Sequence, residues 1–506
     1  MTNTENNKRI AKNTIHLYFR MFLTMGVSLY TSRIVLHTLG VEDFGIYNVV
    51  GGVVMMFSFL NSSMSSATQR FLSFEMGKQD YAQLKKVFSM SVNIHAIIAV
   101  VILVLAETIG LWFFNAKLVI PAERMDAANW VYQFSIFSFM LTILNVPYSA
   151  AIIAHERMKV YAWVSIVEVM LKLIIVFALV CLGFDKLKLY AVLVFGVSVV
   201  IWAIYKIYCK RNFTETNYHF FWEKSLYKTL INYAGWNLFG NLSYVCYTQG
   251  LNILLNIFFG PVINAARGIA YQIQGAVNGF VGNFQMAVNP QIIKSYALKD
   301  YQYMNSLIYN SSKYSFYLLF IIATPVLYNT EYLLTLWLKN LPTNAIIFTK
   351  LMIINALIDV FANPLGFAAQ ATGKIKLFQL IVGGVLLLNL PISYIFLKHG
   401  FGPETVFYLS IAFSSIAIIC RLIIVSKILN ISIINYLNQV IFPVLMVIIF
   451  SSILPLLCLN TFTSAFGSFI FVSTVVTISN ICIIYLIGIN KTERIYIINK
   501  IKLILK

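Results

Sequence analysis

Apolar runs long enough to cross a bilayer recur along nearly the whole chain, separated by short stretches that carry charges or turn-forming residues. The breaks delimit fourteen segments, at about 15–38, 44–66, 88–113, 128–154, 160–183, 189–208, 229–258, 265–290, 312–337, 346–371, 377–397, 404–426, 439–459 and 467–488. Each predicts one spanning helix, and the chain reads as an all-α polytopic membrane protein. Four segments are interrupted by polar residues at helical spacing. In span 8, Arg267, Tyr271, Gln274, Asn278, Gly282, Gln285 and Asn289 recur at steps of three and four, on one face. Span 7 carries Asn237, Asn241, Tyr244, Thr248 and Asn252, and span 1 carries His16, Arg20, Thr24, Ser28 and Thr31. Span 2 has the weaker series Tyr47, Gly51, Val54, Ser58, Ser62, Ser65 and Gln69. Such faces predict a shared aqueous cavity; the competing reading is hydrogen bonding from helix to helix.

The halves of the chain repeat. At an offset of 217, Pro147, Ala151, Ala154, Arg157, Lys159 and Tyr161 answer to Pro364, Ala368, Ala371, Lys374, Lys376 and Phe378. At an offset of 220, Gly40 and Asp80-Tyr81 answer to Gly260 and Asp300-Tyr301. Six spans separate the copies, so both halves have the same orientation and the repeat axis runs along the membrane normal. The expected organisation is an N-lobe at 1–208 (spans 1–6), an inter-lobe linker at 209–228, a C-lobe at 229–426 (spans 7–12), a pair of extra helices at 427–488 and a basic interfacial tail at 489–506.

Composition agrees: only 11% of the 506 residues are charged and 59% are hydrophobic, which leaves no room for a large soluble catalytic domain. No two of the six cysteines form a CxxC pair, so no metal site is expected, and no G-x-x-x-x-G-K-[ST] run provides a nucleotide site. No cofactor and no catalytic residue are assigned. With the N-terminus in the cytoplasm, most Lys and Arg fall on the cytoplasmic side, and the even number of spans returns the C-terminus there. The tail places Lys491, Arg494, Lys502 and Lys506 on one face amid Ile and Leu, which predicts contact with anionic lipid. The net charge of +19 is thus a matter of topology and membrane lipids, not of nucleic acid. His155-Glu156, on the same side, reads as a solvated loop pair.

Charges inside spans are costly and need a partner, water or a function. Arg20, Arg33, Lys172, Arg267 and Lys350 are read as the buried cations, and Glu168 and Asp359 as the deepest acids. Glu168 and Lys172, four apart, can neutralise each other. Arg33 and Lys350 can snorkel. Asp359 has no base one turn away, so it is either the partner of a cavity arginine or a protonatable coupling group. The candidate substrate contacts are Arg20, Arg33, Arg267, Lys172, Asn237, Asn241, Tyr271, Gln274, Asn278 and Gln285, with Asp359 and Glu168 as candidates for ion coupling or ion pairing. The cation surplus suits an anionic cargo.

The stretch SRIVLHTLGVEDFGIY at 32–47, the run NAARGIAYQIQGAVNGF at 264–280 and the Pro364 to Lys376 stretch resemble bacterial Wzx-type O-antigen and capsule flippases, of the multidrug, oligosaccharidyl-lipid and polysaccharide exporter superfamily. The resemblance implies movement of an undecaprenyl-pyrophosphate-linked oligosaccharide across the bacterial inner membrane by alternating access. It also implies a lipid-linked oligosaccharide, membrane lipids, and polysaccharide polymerase and chain-length machinery as partners. The rival readings are a cation-coupled multidrug exporter of the same superfamily and a membrane polysaccharide polymerase or ligase. The short outer loops, without clustered carboxylates or histidines, count against the last.

Overall fold

The computed structural model describes residues 3–55, 58–117, 120–181, 184–338, 342–458, 465–490 and 493–494; among these the regular elements are helices, with no strand. The basic positions Lys491, Lys502 and Lys506 of the tail, and the side chain of Arg33, lie outside the described residues. Among the described residues nine helices are long and apolar enough to cross a membrane, or ten when Tyr301–Tyr328 and Thr330–Leu338, bent by 74°, count as one span. The expected spans outside that set are 1, 2, 7 and 8, which are the four with polar stripes. Their helices, Asn3–Met55, Ser58–Lys78, Lys224–Phe259 and Pro261–Ala297, are ample in length, but the stripe lowers their hydropathy. The protein is a multi-pass all-α membrane protein, and its many exposed Ile, Val, Leu and Phe side chains suit lipid-facing surfaces.

Spans 1 and 2 are divided by a single residue rather than a loop. Gly40, at φ 83° and ψ 168°, breaks Asn3–Met55, a conformation that a side chain would make strained. Asp43, three residues on, receives two hydrogen bonds from Arg124, at 2.8 and 2.5 Å, and Arg124 also reaches Asp185, at 2.9 Å. Asp185 in turn caps Lys186–Asn212 by accepting from the amides of Leu187 and Lys188. Burial opposes ionisation of Asp185, but Arg124 and these amides outweigh it and hold its carboxyl below the ordinary value.

The sequence repeat is also a repeat of backbone geometry. Gly40 and Gly260 have φ near 80°; Gln79 and Lys299 both have φ 60°; Glu156 and Gly373 have φ 59° and 75°. Each pair is separated by the offset that relates the side chains, 220 or 217. The turns before Tyr81 and Tyr301 use the same bonds, with the amides of Asp80 and Asp300 donating to the carbonyls of Glu75 and Ser295.

Two compact units result: Met1–Asn241 with Ile293–Asp300, and Leu242–Ile292 with Tyr301–Lys506. The division passes through the striped helices Lys224–Phe259 and Pro261–Ala297, because the end of each that lies nearest the Lys- and Arg-rich loops packs into the first unit. There Asn237 donates to Ser66 and Asn241 to Ser63, at 3.4 and 2.9 Å, while Tyr233 sets its ring edge-on against Phe71. Gly77 leaves room for the other helix: a Cβ there would stand 2.9 Å from the Lys294 backbone. Lys294 itself bonds Glu156 at 2.6 Å, Arg9 meets the same carboxylate at 2.7 Å, and Asn13 donates to the Glu156 carbonyl. The expectation of a solvated His155-Glu156 pair fails. The Glu156 side chain is fully enclosed, and His155 stacks on Phe213 and pairs with Glu215.

Candidate substrate site

In the second unit, a narrow cleft is lined by Tyr244, Thr248, Arg267, Tyr271, Gln274 and Asp359, among others. Its volume of about 50 Å³ has room for a few waters rather than for a sugar. Arg267 is fixed by its neighbours on span 7, donating to the Asn252 side chain at 3.2 Å and to the Thr248 carbonyl at 2.8 Å, and it lies 6.0 Å from the Tyr271 ring centre. Gln274 donates to the Met352 carbonyl at 3.1 Å, which ties the stripe to span 10. Tyr271 and Asn278 are exposed.

Farther along the same helix the stripe changes role. Gln285 is buried; its Nε2 donates to Ser315 and to the Val360 carbonyl, and its Oε1 accepts from Asn363. The physical cause is Pro364. An α-helix would satisfy the Val360 carbonyl from the amide of residue 364, but proline has none, and the helix Ala345–Asp359 stops just before it. Gln285 supplies the missing donor. Together with the buried Asn237 and the Asn241–Ser63 bond, it belongs to helix packing, whereas positions 267 to 278 form the open part of the face.

Asp359, the last residue of Ala345–Asp359, accepts from Asn355 at 2.9 Å, is within reach of the Ser414 hydroxyl and lies in the field of Arg421. Arg421 lies within the expected span 12 but is absent from the buried cations named from sequence; the helix that carries it runs from Thr405 to Leu429. Among the described residues its buried Nη1 has no hydrogen-bond partner. The signal that could have exposed it is the length of that apolar run, which extends past the arginine to Leu429.

The first unit gathers Arg20, Glu168 and Lys172. Arg20 lies 5.0 Å from the Tyr161 ring centre, and it and Glu168 both act on the hydroxyl of Tyr205. Glu168 and Lys172 form an ion pair at 2.7 Å, four residues apart on one helix and both partly exposed. Lys350 is exposed. Among the described residues no group of His, Cys, Asp and Glu could hold a metal ion.

Comparison with known proteins agrees with this architecture. Residues 10–296 match the model of the family described as polysaccharide biosynthesis protein. No curated protein matches the chain. Among solved structures, an outward-facing multidrug resistance MATE family transporter of the MOP superfamily superposes with a TM-score of 0.74 at 14% identity, over 84% of this chain and 96% of that one. A Vibrio cholerae MATE transporter, VcmN, gives 0.68 at 17% identity over 85% and 98%. A Pyrococcus furiosus MOP superfamily transporter, described as having a binding pocket of reversed polarity, gives 0.70 at 14% over 83% and 96%. At such identities the likeness concerns the fold. The family match spans more than half of the sequence, so this chain, built on the fold of the MOP superfamily transporters, belongs to the polysaccharide biosynthesis protein family.

Proposed function

We propose that the protein flips an undecaprenyl-pyrophosphate-linked oligosaccharide across the bacterial inner membrane by alternating access, with both termini in the cytoplasm. The observation that carries this reading is the double character of the helix Ala345–Asp359. One side, with Met352, Asn355 and Asp359, lines the polar cleft that holds Arg267. The other, with Ile354, Leu357 and Ile358, lines an apolar groove of about 450 Å³ shared with Phe316, Phe320 and Val444. A cargo with an anionic head and a long hydrocarbon tail suits such a pair, the guanidinium matching pyrophosphate oxygens and the groove matching isoprenoid. A repeat unit delivered in this way would be consumed by a polymerase and its chain-length partners.

The test is flipping of a fluorescent pyrophosphate-linked oligosaccharide in proteoliposomes, with efflux of a lipophilic cation measured in parallel. Flipping by wild type, its loss in Arg267→Ala and partial recovery in Arg267→Lys support the assignment, since lysine keeps the charge but not the planar fork. Cation efflux without oligosaccharide flipping overturns it in favour of a drug exporter.

A further inference from the structure

A second pocket lies apart from the cleft, wholly inside the first unit, and the transport reading makes no use of it. Lys85, near the start of Tyr81–Leu105, and Lys206 and Lys210, one turn apart near the end of Lys186–Asn212, surround a hollow of about 470 Å³. Its buried lining includes Tyr148, and its rim includes Tyr218 and His219. No lining residue is acidic. Among the described residues none of the three lysines is ion-paired; Lys206 lies 4.5 Å from the ring centre of Trp202, one turn along its helix. Three lysines thus line one hollow with no acidic partner among the described residues.

The wall is held in place. Segment 213–222 contains a single acid, Glu215, and that acid is engaged by His155, whose ring stacks 3.8 Å from Phe213. The Tyr218 hydroxyl donates to Asn93, which in turn donates to the Phe221 carbonyl, each at 2.8 Å. Past that anchor the segment presents bare aromatic surface: Phe220 is 79% exposed and Trp222 46%. Aromatic rings beside lysines at the ends of spanning helices mark the level of lipid headgroups.

We propose that this pocket is a phosphate site, formed by Lys85, Lys206 and Lys210, which holds the headgroup of an anionic phospholipid while Trp202, Phe220 and Trp222 lie against its upper chains. Basic hollows between spanning helices recognise lipid phosphate through such point charges. The phosphate could also arrive free in solution, and the test separates the two sources. Full-length protein in detergent is titrated with phosphatidylglycerol, with phosphatidylcholine, and with inorganic phosphate alone and as competitor. Wild type should prefer phosphatidylglycerol, and the combined Lys85→Gln, Lys206→Gln and Lys210→Gln variant should bind it roughly 100-fold more weakly. A control lacking three other exposed bases, Lys224→Gln, Lys228→Gln and Lys427→Gln, should bind as wild type does. Full competition by millimolar inorganic phosphate supports the site with a soluble occupant, and no competition supports the lipid. Equal binding by wild type and the triple variant, or equal loss in the control, overturns the proposal. If the triple variant does not fold, Lys206→Gln and Lys210→Gln, both at exposed positions, must each weaken binding, and unchanged binding in both overturns it.

Discussion

Two carboxylates, the enclosed Glu156 and the half-buried Asp359, have very different company, and the difference sets what their removal does. Glu156 is enclosed and shared between Arg9 and Lys294. Replacing it with Gln leaves Lys294 buried without a counter-charge, and stability should fall by about 3–5 kcal/mol, the usual cost of breaking such a pair from one side. Thermal unfolding of Glu156→Gln checks this, and adding Lys294→Met should restore much of the loss. Among the described residues Asp359 has no contact ion pair, but it has Asn355, Ser414 and the nearby charge of Arg421. Asp359→Asn should therefore destabilise by a few kcal/mol and be rescued by Arg421→Met. Failure of that rescue would return Asp359 to the coupling role left open by its sequence. The acid itself was legible as an oddity in an apolar run, but its partner was not, because the pairing joins residues 62 positions apart on different helices.

At the scale of elements, the stripe on Pro261–Ala297 is one pattern with two uses. Cysteine at Asn278 should react with a small aqueous thiol reagent in at least one access state, whereas cysteine at Gln285 should be protected, as at the buried Val281. Equal reactivity at 278 and 285 would mean that the Gln285 bonds open during transport. The 3.6-residue period located the stripe correctly, yet it could not tell a wall from a seam. That depends on Pro364 leaving a carbonyl that Gln285 satisfies. The segment at 213–222 offers a prediction in pH. Burial raises the Glu215 pKa, but His155 and a backbone amide more than compensate, so it lies below the ordinary value of 4.5. A depressed carboxyl stabilises the fold at pH above its unfolded value and loses that contribution as pH falls through the folded one. Wild type should thus unfold at a higher temperature than Glu215→Gln at neutral pH, with the gap shrinking as pH drops below about 4.5.

For the whole molecule, the proposed flipping is expected to follow the substrate's own gradient or that of an ion, since the sequence carries no P-loop. If Asp359 serves as a neighbour of Arg421 in the fold and not as a proton carrier, flipping in proteoliposomes should be insensitive to an imposed proton gradient. Acceleration by the gradient that vanishes in Asp359→Asn would show the opposite. The sequence by itself determined the membrane class, the all-helical architecture and the repeat of its side chains, because bilayer thickness and helical periodicity act on neighbours in the chain. Even the turn geometry was latent in it, as the matched backbone at Gln79 and Lys299 shows. Tertiary structure alone decided that the ends of spans 7 and 8 pack into the first unit, that Arg421 faces Asp359, that Glu156 is a buried hub and that Lys85 meets Lys206 and Lys210. Each of these joins residues far apart in sequence, and charge and hydrogen-bond pairing depend on distance in space, which periodicity does not encode.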